Sequence, residues 1–454
     1  MIKDCGSFSE NYFTTMHFSI PDTQEFVDNS GNSYLGYNIH INGLFHCTVR
    51  YKQLLHLHEH LTKETVHPLP PFPPKKLFPL TTTQQEERRQ SLEKYIQTIG
   101  QNSTLNTSPL LTSFLLHAQQ ETSSKISIIE SLDIFLQNNL RISLKVSTNE
   151  STTRVLKKLL RHLNLPEHLD QFFALFAVIE GERNANILRR LQDFESPVLT
   201  LGNINFPAVK LMVGRSYWET DNDVKLTENS VSLELLHQQA VAEVNRGWIL
   251  VPSALQDHLR SLEDKREYLE AIRTCKYYGF TQFAPCTCDY PQPDTRVIVS
   301  IGRNELNLRM LLDDREHEAV FKVTRMRCWR VTTLHNGMDR SEGSDYSLEL
   351  SFEYLVARNQ LQWITIVSEQ AILMSVSLQG MIDELLTKGD ESREQEIPGK
   401  RWSYVLRDGH SKIVIGEGED ARKPREEVKR ARTRGEHCDI TENNAFHMIG
   451  DEDL

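Results

Sequence analysis

Near the N-terminus, hydrophobic and polar residues alternate in two runs that are joined by the dipeptide Asn42-Gly43. Alternation with a period of two is typical of half-buried strands, and Asn-Gly between such runs predicts a two-residue hairpin with positive φ at both central positions. The second run ends at Arg50 and Tyr51, after which apolar residues recur at helical spacing. The pattern therefore predicts a hairpin whose second strand gives way to a helix at this pair, with a further short strand from His17 to Ile20.

Five prolines between residues 68 and 74 follow that helix and lead to Lys75 and Lys76. Proline lacks the backbone donor that a helix needs, so this segment is predicted to be extended and exposed. Two more helices are predicted beyond it, from about Thr83 to Ile99 and from about Pro109 to Gln119. The first of these turns four apolar residues inward: Leu92, Tyr95, Ile96 and Ile99.

The pattern changes after a polar linker at residues 120–125. The run LRISLKVS alternates like a half-buried strand, a helix to about Leu163 begins at Ser151 or Thr152, and QFFALFAVI is typical of a buried strand. Strand, helix and strand in this order predict a ubiquitin-like β-grasp lobe. Helices near Ser230–Arg246 and Ser253–Lys276 follow it.

From residue 277 onward, short alternating runs predict a series of antiparallel strands with turns at Gly302-Arg303-Asn304 and Arg358-Asn359. One long helix with an apolar stripe then closes the series. About seven strands and a C-terminal helix are the pattern of a pleckstrin-homology or phosphotyrosine-binding fold. The stripe consists of Ile372, Val376, Met381 (or Ile382) and Leu385.

The predicted fold class is therefore α+β multidomain. A domain with a small sheet and helices precedes three lobes, which are ubiquitin-like, helical and phosphotyrosine-binding-like. The tail is charged and poor in apolar clusters, which predicts disorder, and it ends in a short apolar and acidic docking motif. The predicted bounds are an N-terminal extension (1–15), the first domain (16–121), the three lobes (126–204, 205–272 and 273–390) and the tail (391–454).

Charge and composition narrow the function. The chain of 454 residues has a formal net charge of −11, which argues against binding of nucleic acid along the whole protein by charge. Between Val49 and Tyr95, however, eight Lys and Arg face five Asp and Glu, a local excess of three positive charges. Seven scattered cysteines do not form a disulfide framework, and no apolar run approaches the roughly 20 residues that span a bilayer. We expect a cytoplasmic protein with peripheral membrane contact.

These motifs carry a family resemblance. The hairpin followed by VRYKQL, the run FPPKKLF and the helix EERRQSLEKY resemble the PX domain, a phosphoinositide-binding module. MRCWRV, FEYL and QWITI resemble the third lobe of a FERM-like module, and RGWILV and the terminal IGDEDL extend the match. Together they resemble the PX–FERM sorting nexins, the group of sorting nexins 17 and 31, and the short tail favours the second of these.

The resemblance implies a headgroup site for phosphatidylinositol 3-phosphate and hence a place on early endosomes. Arg50 would grip the 3-phosphate with its planar guanidinium, and Tyr51 would stack under the inositol ring. Lys75 would contact the 1-phosphate, and Arg88 would bind the 4- and 5-hydroxyls. Leu69 and Phe72 are candidates to enter the bilayer.

The resemblance also implies a peptide site in the third lobe. Family members bind NPxY or NPxF signals in the cytoplasmic tails of transmembrane receptors, of integrin, lipoprotein-receptor or uroplakin type, as an added strand. The terminal IGDEDL implies docking to the Retriever–Commander complex through Leu454 and its carboxylate. The function implied is a monomeric, non-enzymatic adaptor without cofactors, which promotes receptor recycling and prevents lysosomal degradation. The residues that match the peptide groove are Trp329, Leu355, Ile382 and Leu386.

Other interpretations of these residues remain open. PFPPKK also fits an SH3 ligand, His56, His58 and His60 or the Cys286–Cys288 pair suggest a metal site, and Trp329 fits a core position equally well. The alternative function is a scaffold that binds an activated Ras-type small GTPase through the β-grasp lobe, although no basic strand there singles out a GTPase. No phosphate-cradling glycine loop or nucleophile elbow supports catalysis.

Overall fold

The computed structural model describes most of the chain in two compact units, Met1–Thr281 and Gln282–Leu454. Each unit is described separately below. The described residues are 16–27, 30–65, 68–76, 78–123, 127–180, 185–312, 315–335, 346–357, 360–393, 405–407, 412–414 and 439–443.

The first domain contains an antiparallel sheet whose central strand is the first arm of the predicted hairpin. The turn is confirmed, because Asn42 and Gly43 have φ of 50° and 82°. A β-bulge interrupts the register after this turn, so that His40 pairs with Phe45 but Ile39 pairs with Cys47. The strands are β1 (Phe18–Ser19), β2 (Thr23–Val27), β3 (Ser33–Ile41) and β4 (Leu44–Arg50).

Four helices cover this sheet, and the longest has the predicted inward face. The four apolar residues predicted to point inward are all buried. Gly100 in the same helix allows a close approach, since a Cβ there would lie 2.4 Å from the Phe18 ring and 2.8 Å from the Met16 carbonyl. The helices are α1 (Tyr51–Glu64), α2 (Thr82–Gln101), α3 (Ser103–Asn106) and α4 (Pro109–Ser123).

The next lobe has the predicted β-grasp arrangement. Its sheet has the order β6-β5-β9-β7-β8, in which β5 and β9 run parallel. Strand β9 lies beyond residue 204, so the predicted end of this lobe is corrected to include it. The elements are β5 (Ile129–Phe135), β6 (Arg141–Ser147), α5 (Thr152–His162), a 3₁₀ turn (Glu167–Phe172), β7 (Phe173–Glu180), β8 (Ala185–Arg190), α6 (Pro197–Asn203) and β9 (Val209–Arg215).

The helical lobe differs from its prediction at one point. The helix predicted from Ser253 to Lys276 is two helices, because Leu262 takes an extended conformation and the Asp264 carboxylate accepts hydrogen bonds from the Arg266 and Glu267 N–H groups. A side-chain acceptor of this kind starts a new helix. The helices are α7 (Asn222–Leu226), α8 (Ser230–Asn245), α9 (Ser253–Ser261) and α10 (Lys265–Ile272).

A buried polar network joins the first domain to the β-grasp lobe. The Glu195 carboxylate accepts two hydrogen bonds from the Arg189 guanidinium, at 2.9 and 2.6 Å, and a third from the Thr200 hydroxyl at 2.7 Å. Gln119 of α4 reaches into the same network, since its amide donates to Thr200 at 2.9 Å and accepts from the Ser196 N–H at 2.7 Å. The two parts therefore share hydrogen bonds that neither could satisfy alone.

Two rings complete this joint. His46, the extra residue of the β-bulge, is fully buried and lies 3.8 Å from a Glu195 oxygen. Its Nε2–H donates to the Leu115 carbonyl at 3.0 Å, and burial lowers the pKa of His46 to about 4, so the imidazole is neutral at pH 7. Phe194 meets the His46 ring edge-on at 5.8 Å and packs against the core of the first domain.

The second unit is built on one antiparallel sheet with the order β14-β13-β12-β11-β17-β16-β15-β20 and a long helix. The predicted turn between β12 and β13 is confirmed, since Arg303 and Asn304 have φ of 48° and 61°, and the turn predicted at 358–359 lies outside the described residues. The elements are β10 (Thr281–Gln282, at the boundary), β11 (Cys286–Cys288), β12 (Thr295–Gly302), β13 (Glu305–Leu312), β14 (Arg315–Lys322), a 3₁₀ turn (Val323–Arg325), β15 (Met326–His335), β16 (Tyr346–Ala357), β17 (Gln360–Val367), α11 (Ala371–Arg393), the pair β18 (Val405–Arg407) and β19 (Lys412–Val414), and β20 (Asp439–Asn443).

Among the helices that the structure describes, none combines the length and the apolar character needed to cross a bilayer.

The joint leads to a stability prediction. Glu195→Ala leaves the Arg189 guanidinium, which is 1% exposed, without its carboxylate partner. We expect a loss of about 3–5 kcal/mol in the free energy of unfolding, because an unpaired buried charge is costly. Urea denaturation followed by circular dichroism measures this loss.

Glu167→Ala is the matched control, because Glu167 also pairs with an arginine but is 67% exposed. This variant should unfold like the wild type. Equal midpoints for the Glu195 and Glu167 variants would contradict a structural role for the joint.

Candidate functional site

The candidate site lies where β4 gives way to α1. Arg50 ends the strand, and its backbone N–H donates to the Gln53 side chain at 2.7 Å, which fixes the first turn of the helix. The N-terminus of a helix carries partial positive charge and favours anions. An exposed arginine at this point therefore adds a full charge to an end that already attracts phosphate.

The Tyr34 ring holds the Arg50 side chain on the outer face of the sheet, and a second ring stacks on Tyr34. Its guanidinium carbon lies 3.3 Å from the centre of the Tyr34 ring, and Tyr34 stacks on Phe26 at 5.5 Å. Gly36, the cross-strand partner of Arg50, leaves room for this arrangement, since a Cβ there would lie 2.7 Å from the Phe26 ring. The guanidinium is thus supported from one side while the residue stays exposed.

Tyr51 is the centre of the site. The Arg88 guanidinium from α2 lies 4.4 Å from the centre of the Tyr51 ring. The Tyr51 hydroxyl donates to the Pro73 carbonyl at 2.8 Å. Burial raises the pKa of Tyr51 and Arg88 opposes that rise, so the phenol stays protonated and remains a donor at neutral pH. One tyrosine thereby joins the cation of α2 to the proline segment.

The basic end of the proline segment comes directly after this contact. Lys75 and Lys76 are exposed and follow Pro73 by two and three residues. The structure thus brings Tyr51 and Arg88 together and ties the segment that carries Lys75 to them, whereas the Arg50 guanidinium lies on the Tyr34 ring. The role of each residue toward a ligand stays a prediction.

The prediction for Leu69 and Phe72 needs correction. Both side chains pack against the core of the first domain, so they face inward and are not free to enter a bilayer. Phe78, in contrast, is 82% exposed and lies two residues beyond Lys76. Apolar side chains beside exposed cations suit a membrane face, and Phe78 meets that description.

The local contacts also bear on the alternative interpretations. The rings of His56 and His60 lie edge to face at 4.9 Å on the exposed side of α1, whereas His58 turns to the Phe72 ring. In the described part of the chain, no three histidine, cysteine or acidic residues are grouped as a metal site would need. An SH3 domain would have to detach Pro73 from Tyr51.

In the second unit, Trp329 of β15 is buried under α11. Its indole N–H donates to the Ser375 hydroxyl at 3.0 Å, and Ile382 on the same helix is also fully buried. Trp329 thus lies where β15 and α11 meet, as the groove prediction requires. The burial of Trp329 and Ile382 is equally consistent with a core role, so their contact with a peptide stays a prediction.

Leu355 lies on the other side of the sheet. Trp329 pairs with Phe352, and Leu355 pairs with Leu361 in an unbroken stretch of the β16–β17 ladder. Cross-strand partners share a face and successive residues alternate, so Phe352 and Leu355 face opposite sides. The prediction that Leu355 lines one groove with Trp329 is therefore corrected. The Leu386 side chain and Leu454 lie outside the described residues.

The edge of β15 carries an added strand from the tail. Strand β20 pairs with it in antiparallel register from Asn443 opposite Trp329 to Asp439 opposite Thr333. An edge strand presents unpaired backbone groups that invite such pairing. The backbone of this edge is therefore able to accept a peptide as a strand.

Sequence reasoning missed the roles of Tyr34 and Phe26. A regular two-residue hairpin would place Arg50 opposite Leu35, but the bulge moves it opposite Gly36 and onto the face of Tyr34. Alternation along β3 predicts that Tyr34 and Gly36 share one face of the sheet. Arg50 lies on that face only because of the bulge, which alternation does not predict.

Four family models match the chain in the predicted order. They are described as the PX domain (residues 37–118), the F1 lobe of the sorting nexin 17/27/31 FERM domain (130–218), the F2 lobe of the sorting nexin 17/31 FERM domain (219–276) and the sorting nexin 17 FERM C-terminal domain (279–386). The candidate corner at Arg50 and Tyr51 lies within the first match.

Similar proteins agree with these matches. Sorting nexin-17 from Bos taurus and from Homo sapiens are each 40% identical over 97% of this chain and 100% of their own length. Sorting nexin-31 from Homo sapiens is 33% identical over 84% of this chain and 89% of its own. A solved complex of the FERM and C-terminal domains of Drosophila Merlin, 13% identical, has a TM-score of 0.36 over 59% of this chain and 99% of that one.

The expectation that the short tail favours sorting nexin 31 is not supported, since both identity and coverage are higher for sorting nexin-17. Identity of this level over the whole length, together with the PX and FERM matches, establishes the family. The chain belongs to the PX–FERM sorting nexins, a family of trafficking adaptors.

Proposed function

We propose that this sorting nexin is an adaptor on the cytosolic face of early endosomes. Its PX domain binds phosphatidylinositol 3-phosphate, and its third FERM lobe binds NPxY or NPxF signals of transmembrane receptors, which are thereby recycled rather than degraded. The observation that carries the lipid part is the contact of Arg88 with Tyr51, at the helix N-terminus where Arg50 is the preceding residue.

The chemistry of this corner suits a phosphorylated sugar ring. A guanidinium binds phosphate oxygens with two parallel hydrogen bonds, and Arg50 offers one beside a helix N-terminus. Tyr51 supplies a flat apolar surface for the inositol ring, and Arg88 supplies donors for its free hydroxyls. Lys75 then reaches the phosphate that links the headgroup to the lipid.

The surroundings suit a membrane surface. Phe78 and the lysine pair lie on one segment, so an apolar side chain would enter the interface while cations meet anionic lipid. Screening limits such attraction to about 8 Å at physiological ionic strength. The local excess of positive charge is therefore effective only when the proline segment lies against the bilayer.

Arg50→Gln tests the lipid assignment. The variant keeps a polar side chain but loses the charge, and removal of a charged hydrogen bond costs about 1.5–3 kcal/mol. We expect binding to vesicles with phosphatidylinositol 3-phosphate to weaken about tenfold or more, as measured by co-sedimentation.

Lys63→Gln is the matched control, because Lys63 is an exposed cation in the last turn of the same helix. Binding by this variant should be nearly unchanged. Undiminished binding by folded Arg50→Gln would refute the headgroup assignment.

The peptide proposal is supported by the edge of β15. Peptides that bind by strand addition form main-chain hydrogen bonds along such an edge, while pockets for alternate side chains give specificity. Strand β20 occupies this edge in antiparallel register, and Trp329 of β15 and Ile382 of α11 are both buried. Within this proposal, Leu454 and its carboxylate dock to the Retriever–Commander complex.

Strand β20 and a bound peptide cannot occupy the β15 edge at the same time, so removal of β20 tests the peptide site. A chain that ends at residue 438 lacks β20 and should bind an NPxY peptide about tenfold more tightly than the full chain, since a tethered competitor acts at millimolar effective concentration. Calorimetry with the 1–438 and 1–454 chains measures the difference.

Trp329→Ala in the shorter chain adds a second test, since loss of the ring should weaken peptide binding if Trp329 lines the groove. Equal peptide affinity of the 1–438 and 1–454 chains would remove β15 as the peptide site. No peptide binding by either chain would refute cargo recognition itself.

A second candidate function is favoured by the free edge of the β-grasp sheet. Strand β6 ends the sheet within the described residues, and its outward residues include the cations Arg141 and Lys145. Helix α5 adds exposed Arg154 and Lys157. Arg141 also pairs with Asp133 at 3.4 Å, and the exposed cations of β6 and α5 together suit the acidic surface of an activated Ras-type GTPase.

The GTPase candidate requires dependence on nucleotide. Lys145→Glu should lower binding to GTP-loaded Ras-type proteins about tenfold or more, because like charges across an interface repel, while the exposed control Lys225→Glu should have little effect. Biolayer interferometry with GTP-loaded and GDP-loaded proteins measures both. Equal binding of the two nucleotide states would exclude this candidate.

A further inference from the structure

The proline segment is held by a set of rings that the headgroup assignment does not use. The Phe72 ring stacks on His58 of α1 at 4.9 Å with an angle of 15° between the planes. It meets the Tyr95 ring of α2 edge-on at 4.9 Å and the Tyr51 ring at 5.6 Å. One side chain of the segment therefore rests in a box formed by two helices.

The two outer rings of this box are fixed to each other and to the core. His58 Nδ1 and the Tyr95 hydroxyl are 3.0 Å apart, a hydrogen bond, and Tyr95 is 1% exposed. Burial lowers the pKa of His58 and raises the pKa of Tyr95, so both groups are neutral at pH 7. The pair offers Phe72 an uncharged and rigid surface.

The aromatic box is important because the proline segment can form few backbone hydrogen bonds. Five of the seven residues from 68 to 74 are prolines, which have no N–H to donate. The Pro73 carbonyl accepts from Tyr51, and the segment otherwise depends on side chains. Proline-rich chains are stiff over several residues, so a fixed Phe72 sets the position of Lys75 three residues later.

We propose that His58 and Tyr95 are positioning residues of the phosphoinositide site, which act on the headgroup through Phe72 and Lys75 without contacting it. This inference rests on the proposed lipid function and adds two residues that its chemistry alone would not select. The aromatic groups then have two roles. Tyr51 contacts both the headgroup and the proline segment, whereas His58 and Tyr95 contact only the segment.

The test uses the full chain and vesicles with phosphatidylinositol 3-phosphate. His58→Ala should weaken vesicle binding about fivefold, which is the contribution expected of one exposed cation. His56→Ala is the matched control, because His56 is exposed on the same helix and contacts the His60 ring instead. Its binding should equal that of the wild type.

A double-mutant cycle distinguishes positioning from general damage. If His58 acts through Lys75, the variant with both His58→Ala and Lys75→Ala should bind no more weakly than Lys75→Ala alone. The variant with His58→Phe and Tyr95→Phe keeps both rings and removes both polar partners, so it should restore most of the binding. Additive losses, or no recovery by the phenylalanine pair, would overturn the proposal.

Hydrogen exchange gives a measurement that does not depend on lipid. Exchange at the non-proline amides of residues 68–76 should be faster in His58→Ala than in His56→Ala, while α2 keeps its protection. Unchanged exchange in this segment would refute the positioning role. The two proposals can fail separately. If the wild type does not bind 3-phosphate vesicles but exchange in residues 68–76 is faster in His58→Ala, the lipid function is refuted and the positioning of the segment by the aromatic box is supported.

Discussion

The Glu195 carboxylate, fully buried between two parts of the first unit, is the constraint on which their arrangement depends. A charge in this position is costly unless each lone pair finds a donor. Arg189, Thr200 and the Gln192 N–H provide these donors, and Gln119 of the PX domain binds the next residue, Ser196. The PX domain therefore docks on the F1 lobe through buried polar groups. Loss of any one partner leaves another group buried without a hydrogen bond, which lowers the free energy of unfolding.

One inserted residue connects this joint to the lipid site. The β-bulge in β4 adds His46, which points into the joint beside Glu195. The same insertion shifts the remaining strand by one residue, so that Arg50 pairs with Gly36 and reaches the Tyr34 ring. Bulges commonly redirect side chains near functional sites. Here a single bulge sets both the domain contact and the orientation of Arg50.

This bulge also marks how far the sequence can predict the structure. The hairpin turn, the buried face of α2 and the corner of Arg50 and Tyr51 follow from local patterns, because each depends on residues close in the chain. The bulge, the membership of β9 in the F1 sheet and the face of Leu355 depend on partners distant in sequence. The family resemblance matches Leu355 to the groove, but it does not give the face of the strand on which Leu355 lies.

The site residues divide in the same way. Arg50, Tyr51 and Lys75 can be selected from their order and chemistry, and Arg88 from the resemblance to the PX domain, whereas His58 and Tyr95 have no such signature. Three histidines on one helix suggest a metal site when only the sequence is known. The 4.9 Å stacking of His58 on Phe72 gives His58 another role. Residues that position others are therefore harder to predict than residues that bind.

An adaptor of this kind needs each of its two contacts to be weak enough to reverse. A single-site headgroup contact and a strand added to one edge are both modest, but a shared chain makes the second contact effectively intramolecular. Within the proposed function, occupation of the β15 edge by β20 lowers the affinity for free peptides further, since a peptide must first displace a strand of the same chain. A receptor tail is itself held at the membrane, so lipid binding raises its local concentration at that edge. Within the proposed function, the lipid and peptide sites thus reinforce each other because they share one chain.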